Sequence, residues 1–212
     1  NNLNTLLRKY SVAGIITEIL DLKYLYVEAH VNAYYNPNLA ANSDAVKAVV
    51  SNNINTYADS SEMNKYGAKF KYSKFQTVVD NSNDSITSNI TKIEIRRNLK
   101  PSLNTNAEYE LCFGNSFYIK NNDGYNIKSS GFTAFGVADT VYLSDIPDED
   151  GKMGILFLFT LESRNNPKVV SSNVGTIDYE KGEILIKPIN ISSTSKKVQN
   201  IPIIEVSACP KS

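Results

Sequence analysis

The sequence contains no tryptophan, one histidine and two cysteines in 212 residues. A nucleophilic triad needs an imidazole beside the nucleophile, and a zinc site needs several histidine or cysteine ligands together. His30 stands alone in an alternating tract, so we expect an ordinary residue on the exposed face of a strand. Cys112 and Cys209 lie far apart, which does not favour a disulfide. Because Cys112 lies between Leu111 and Phe113, we expect it to pack as a small hydrophobic side chain.

Charge of one sign and long apolar runs are also missing. Lys and Arg total 22, as do Asp and Glu, so the chain has no net field to attract nucleic acid or an anionic membrane. The longest apolar stretch, residues 155–159, has the length of a strand rather than a membrane span. We therefore expect no nucleic-acid or membrane partner. Together with the shortage of histidine and cysteine, we also expect no small-molecule partner, no cofactor, and no catalytic, cofactor-binding or metal-ligating residue. The chain begins with Asn1 and has no signal peptide, so we expect a fragment or a processed product.

Asparagine is abundant instead, with 26 residues against 2 glutamines. Two explanations stay open. The A/T-rich codons of an AT-rich genome would produce this bias, and so would a hydrogen-bonding, uncharged surface.

The first half predicts an α+β module. Residues 1–22 are expected to form a connecting segment, and residues 23–35 alternate like a strand. A helix is predicted after Ser43 as N-cap, with an apolar stripe of Val46, Val49, Val50, Ile54 and Tyr57. A second helix is predicted near Ser73, where Ser73 and Gln76 match a capping box. Its buried face would be Phe75, Val78 and Val79. Strands at residues 90–97 and 109–113 complete a β-α-α-β-β order, with helices on one face of an antiparallel sheet, over residues 23–118.

The second half, residues 119–212, predicts an all-β antiparallel domain. The acidic run 145–151 lies between apolar strands and ends in Asp-Gly, which is typical of a hairpin turn rather than a calcium loop. A further hairpin is predicted over residues 175–186, with its turn at 180–182. A last strand is predicted over residues 201–208, and Pro202 suggests a sheet edge.

Several tracts together resemble a known family. They are Lys23–Val27 with Tyr35–Asn38, Phe70–Asp80 with Asp84–Thr91, Leu111–Asn115, and Gly175–Gly182. In this order, over about residues 10–212, the chain is similar to the C-terminal region of the baseplate wedge protein of T-even-like contractile-tailed phages (gene product six type), in the broader baseplate J-like group. The resemblance implies a structural virion protein without catalysis. It also implies a subunit, assembled in the host cytoplasm, that forms homodimers or a ring, contacts other wedge proteins and links wedges around the tail hub.

Two other classes of function stay open. A carbohydrate- or surface-binding β module of a phage tail or adhesin would use Asn and Tyr, although tryptophan is absent. A tail-associated glycosidase would need two facing carboxylates, drawn from Glu94, Glu108, Glu110 or Asp178. All four are in strand or turn patterns where a solvated charge is the simpler interpretation.

Overall fold

The computed structural model describes residues 24–40 and 42–211, so the predicted connecting segment 1–22 lies outside the described residues. A short 3-10 turn at Ser163–Asn165 precedes the strand Pro167–Asp178. The helices and strands follow in this order: β1 (Tyr26–Tyr35), α1 (Ser43–Ala58), α2 (Tyr72–Asp80), β2 (Ile86–Leu99), β3 (Asn106–Cys112), β4 (Lys128–Ser129), β5 (Phe132–Ala134), β6 (Val141–Pro147), β7 (Met153–Leu161), β8 (Pro167–Asp178), β9 (Glu183–Thr194), β10 (Lys196–Val198) and β11 (Ile201–Ala208).

Two antiparallel sheets organise the described residues. The first has the order β1-β2-β11-β10, with β4 also paired to β11. The second has the order β3-β9-β5-β6-β7-β8. Because β8 also pairs with β9, the strands from β9 to β8 form a closed circuit of paired strands. The chain is therefore a mixed α+β fold with antiparallel sheets, as predicted.

Both helices cover one face of the first sheet. Val46 and Val50 of α1 and Phe75 and Val79 of α2 are buried together. They pack on alternate residues of β1, namely Ala29, Val31, Ala33 and Tyr35. This period of two is what the sequence predicts for a half-buried strand. The predicted apolar stripe of α1 thus packs against the predicted strand, except for Val49, which is exposed.

The second core lies between the sheets and within the curled second sheet. Its fully buried members include Leu156, Ile177 and Ile184 of the second sheet and Val206 of β11. The predicted hairpins are present: β6 and β7 flank residues 148–152, and β8 and β9 flank residues 179–182. Gly182 has φ +69° and its Cβ would meet the backbone of Asn115, so this turn requires glycine.

The predicted β-α-α-β-β order does not form a closed unit. β3, which contains the predicted strand 109–113, pairs with β9 of the second sheet, and β11 returns to pair with β2 of the first sheet. The physical reason is that Tyr109 and Leu111 bury their side chains in the larger core. The domain boundary at residue 118 stays a prediction.

Helix caps differ from those predicted. Asn42, not Ser43, caps α1, because its side chain accepts a hydrogen bond from the Ala45 N–H at 2.8 Å. The capping box at Ser73 is wrong, since Lys71 is the N-cap of α2 and no side chain caps that helix. Gln76 instead donates to the Tyr72 hydroxyl at 3.3 Å. Val78 is only partly buried.

Three single-residue expectations also need correction. Cys112 is exposed, because Leu111 and Phe113 on either side point into the core. Asp145 is not part of the acidic turn; it lies in β6 and is fully buried. Pro202 belongs to a strand inside the sheet order, but it pairs only with Lys197 of β10, beyond the end of β2. The missing proline N–H is therefore tolerated where one neighbour is absent.

Candidate assembly surface

Strand β1 forms one edge of the first sheet. It pairs with β2 from Tyr26 to Tyr35, and no strand among residues 24–40 and 42–211 pairs with its other side. An edge strand presents unpaired backbone N–H and C=O groups that another chain can bind. β1 is therefore a candidate assembly site.

The sheet face opposite the helices carries the other alternate residues of β1 and β2. We call it the outer face. Tyr34 and Ile90 are each 52% exposed on it, and His30 is exposed, as predicted. Its members are Tyr26, Glu28, His30, Asn32 and Tyr34 of β1 and Ser88, Ile90, Lys92, Glu94 and Arg96 of β2.

Arg96 organises the end of the outer face. Its Nε donates to Glu28 Oε1 at 2.5 Å, and one terminal nitrogen donates to Glu205 Oε1 at 3.0 Å. Its guanidinium carbon lies 4.4 Å from the centre of the Tyr26 ring. Only 16% of the Arg96 side chain is exposed, so these contacts are partly shielded from water. The ring of Tyr26 is thereby held in place at the open edge.

Two carboxylates face each other across the paired strands. Glu28 of β1 is in register with Glu94 of β2, an arrangement that destabilises a strand pair. Arg96 neutralises the charge of Glu28 through its ion pair, and Lys128 Nζ lies 3.4 Å from Glu94 Oε1. The charges of the outer face are thus locally balanced, which suits close contact with another protein surface.

A second exposed feature is an aromatic groove between β4 of the first sheet and strands β6 and β7 of the second sheet. Tyr125, with φ +63°, places its ring edge-on against Phe157 and Phe159, with ring centres 5.2 and 5.5 Å away. Tyr142 and Lys128 are among the other residues that line this groove, whose volume is about 290 Å³. Its volume lies just below the range of roughly 300–1,000 Å³ that is typical of ligand pockets, and its aromatic lining also suits a contact patch.

The four candidate glycosidase carboxylates are distributed over three strands. Glu94 lies in the first sheet, whereas Glu108 and Glu110 are in β3 and Asp178 is at the end of β8. The Lys181 backbone N–H donates to Asp178 Oδ1 at 2.9 Å and lowers the pKa of that carboxyl. A lowered pKa is the opposite of what an acid catalyst needs.

Within the described part of the chain, no group of three or more His, Cys, Asp or Glu side chains is placed to hold a metal ion. Neither helix of residues 24–40 and 42–211 has the length and apolar character needed to cross a bilayer.

A buried polar network fixes the loop before β4. Asp145 accepts hydrogen bonds from the Ile127 N–H at 2.5 Å, from Asn126 Nδ2 at 3.1 Å and from the Tyr179 hydroxyl. Burial, first, and the Asp145 carboxylate raise the pKa of Tyr179, so the phenol stays protonated and donates. The signal was present in the sequence, because Asp145 continues the inward alternation of Val141 and Leu143.

Comparison with known proteins connects this architecture to a family. Residues 23–98 match the model of the family described as baseplate structural protein gp6, C-terminal domain III. The matched segment contains β1, both helices and nearly all of β2, so the candidate edge and the outer face fall within it. No curated protein matches the chain significantly. The predicted resemblance is confirmed over this segment: residues 23–98 are similar to gp6 C-terminal domain III, a domain of a bacteriophage baseplate structural protein.

Proposed function

We propose that this chain is a baseplate wedge subunit that self-associates and links neighbouring wedges into the ring around the tail hub. It also contacts other wedge proteins, and it is assembled in the host cytoplasm. The observation that carries the proposal is the match of residues 23–98 to gp6 C-terminal domain III, in which the outer edge of β1 pairs with no strand of the described residues.

The chemistry of the surface supports permanent assembly. Stable interfaces combine apolar and aromatic contacts with balanced polar groups. Tyr26, Tyr34 and Ile90 supply apolar area on the outer face, and Arg96 and Lys128 compensate its carboxylates. Tyrosine adds a polar tip to each aromatic contact.

Sedimentation of the chain over a series of concentrations tests self-association. The monomer has a mass of 23.5 kDa, and the proposal predicts a mass that rises toward twice this value as the concentration increases. The variant Arg96→Ala should shift the transition to higher concentration, since it releases Tyr26 and leaves Glu28 uncompensated. A matched control is Lys181→Ala, which removes an exposed cation at the β8–β9 turn. A monomer at every concentration would contradict the proposal.

The aromatic groove supports a second candidate, a carbohydrate-binding module. Tyr125 is 41% exposed above the groove, and Lys128 offers a hydrogen-bond donor beside it. This function predicts binding to a glycan array that is lost in Tyr142→Ala. Unchanged binding in that variant, or no binding by the parent chain, would reject it.

A further inference from the structure

We propose that β1 pairs antiparallel with β1 of a second copy, around a two-fold axis through His30, and so joins two first sheets into one. The inference rests on the proposed self-association and names its surface and register.

The two edges of the first sheet are protected very differently. β10 at one edge has three residues, two of which are Lys196 and Lys197. Short length and lysine are devices that prevent unwanted strand pairing. β1 at the other edge has ten residues and contains no lysine, arginine or proline. The sequence therefore blocks pairing at β10 and leaves it open at β1.

Symmetry restricts the possible registers. In an antiparallel pair about a two-fold axis, one residue faces its own copy, and opposite residues share a sheet face. An axis through His30 or through Val31 gives the longest overlap of β1. The Val31 register would place Glu28 opposite Tyr34 and leave Tyr26 without an opposite residue in β1. The His30 register pairs the exposed Tyr26 with the exposed Tyr34, so we choose it.

The side chains match in this register. On the outer face Tyr26 faces Tyr34 and Glu28 faces Asn32, so no two carboxylates are opposed. On the helix side Val27 faces Ala33, and Ala29 faces Val31. Aromatic and apolar pairs of this kind stabilise antiparallel strands.

The monomer also prepares one partner of the aromatic pair. Arg96 already holds the Tyr26 ring, which lowers the loss of side-chain entropy when Tyr34 of the second copy packs on it. Tyr26 and Tyr34 are 37% and 52% exposed, so both can be reached.

Cysteine cross-linking tests the register. His30→Cys and Asn32→Cys are made separately in the full chain with Cys112→Ser and Cys209→Ser. Directly opposed residues have Cα atoms roughly 5 Å apart, within the range of a disulfide. Two copies of residue 32 would be offset by four positions, about 14 Å apart, and cannot be bridged. Both positions are exposed on the same face, so they are matched.

Under mild oxidation, His30→Cys should give about tenfold more covalent dimer than Asn32→Cys. Equal cross-linking of the two variants, or none by His30→Cys, in a chain that still sediments as a dimer would overturn this register and leave self-association standing. That result would also follow if another segment or another protein covered the β1 edge. A chain that sediments as a monomer would instead overturn the proposed function, and this inference with it.

Discussion

Asp145→Asn tests the buried network that holds residues 119–127 against the second sheet. Asp145 accepts from three donors, whereas an asparagine retains one side-chain oxygen and gains an amide group. That oxygen can still accept from the Ile127 N–H. The new amide would then face the Nδ2 group of Asn126, which is itself a donor.

Asn126 cannot relieve this conflict by turning its amide. Its Oδ1 already accepts the N–H groups of Lys120 and Asn121, each at 2.8 Å. The variant therefore loses at least one hydrogen bond to a buried carboxylate and opposes two donors. A hydrogen bond to a charged group contributes about 1.5–3 kcal/mol, and a buried unsatisfied donor costs a similar amount. We expect the free energy of unfolding to fall by about 3 kcal/mol.

Urea denaturation followed by circular dichroism measures this change. The matched control is Asp148→Asn, the same substitution at an exposed carboxylate of the same acidic run, which should change the free energy of unfolding by less than about 0.5 kcal/mol. A loss below about 1 kcal/mol for Asp145→Asn, or equal losses in both variants, would show that the Asp145 hydrogen bonds do not stabilise the fold as described.

Two further predictions concern positions where the structure differs from what the sequence predicts. Asn42→Ala should lower the free energy of unfolding by about 1 kcal/mol in denaturant titration, because it removes the cap of α1, whereas Ser43→Ala should leave it nearly unchanged. Cys112 should react with a thiol reagent well before Cys209, because Cys112 is exposed, and burial, first, and the charge of Glu94 raise the pKa of Cys209. Equal loss of stability in the two alanine variants, or faster reaction of Cys209, would contradict these predictions.

Periodicity in the sequence predicts most elements because each one has one buried face. The β8–β9 hairpin and the bounds of β11 follow from apolar alternation and a glycine turn. The alternation of apolar residues does not indicate which strand pairs with which. β3 therefore pairs with β9 rather than β2, and β11 returns to the first sheet from the other end of the chain.

The candidate site is visible in the sequence only in part. The alternation of β1 predicts its two faces and exposes His30. The contacts of Arg96 with Glu28 and Glu205 join residues far apart in the chain, and no local pattern indicates them. Cys112 is the opposite case, because the alternation between the buried Leu111 and Phe113 already predicts an exposed thiol. The expectation that Cys112 is buried followed from its residue type alone.

The assignment to the baseplate is tested most directly by locating the chain in phage particles. An antibody raised against residues 23–98, the segment that matches gp6 C-terminal domain III, should label the baseplate end of the tail in electron micrographs of the phage that encodes it. Label confined to the fibre tips or the head, or particles that contain none of the chain, would contradict the account.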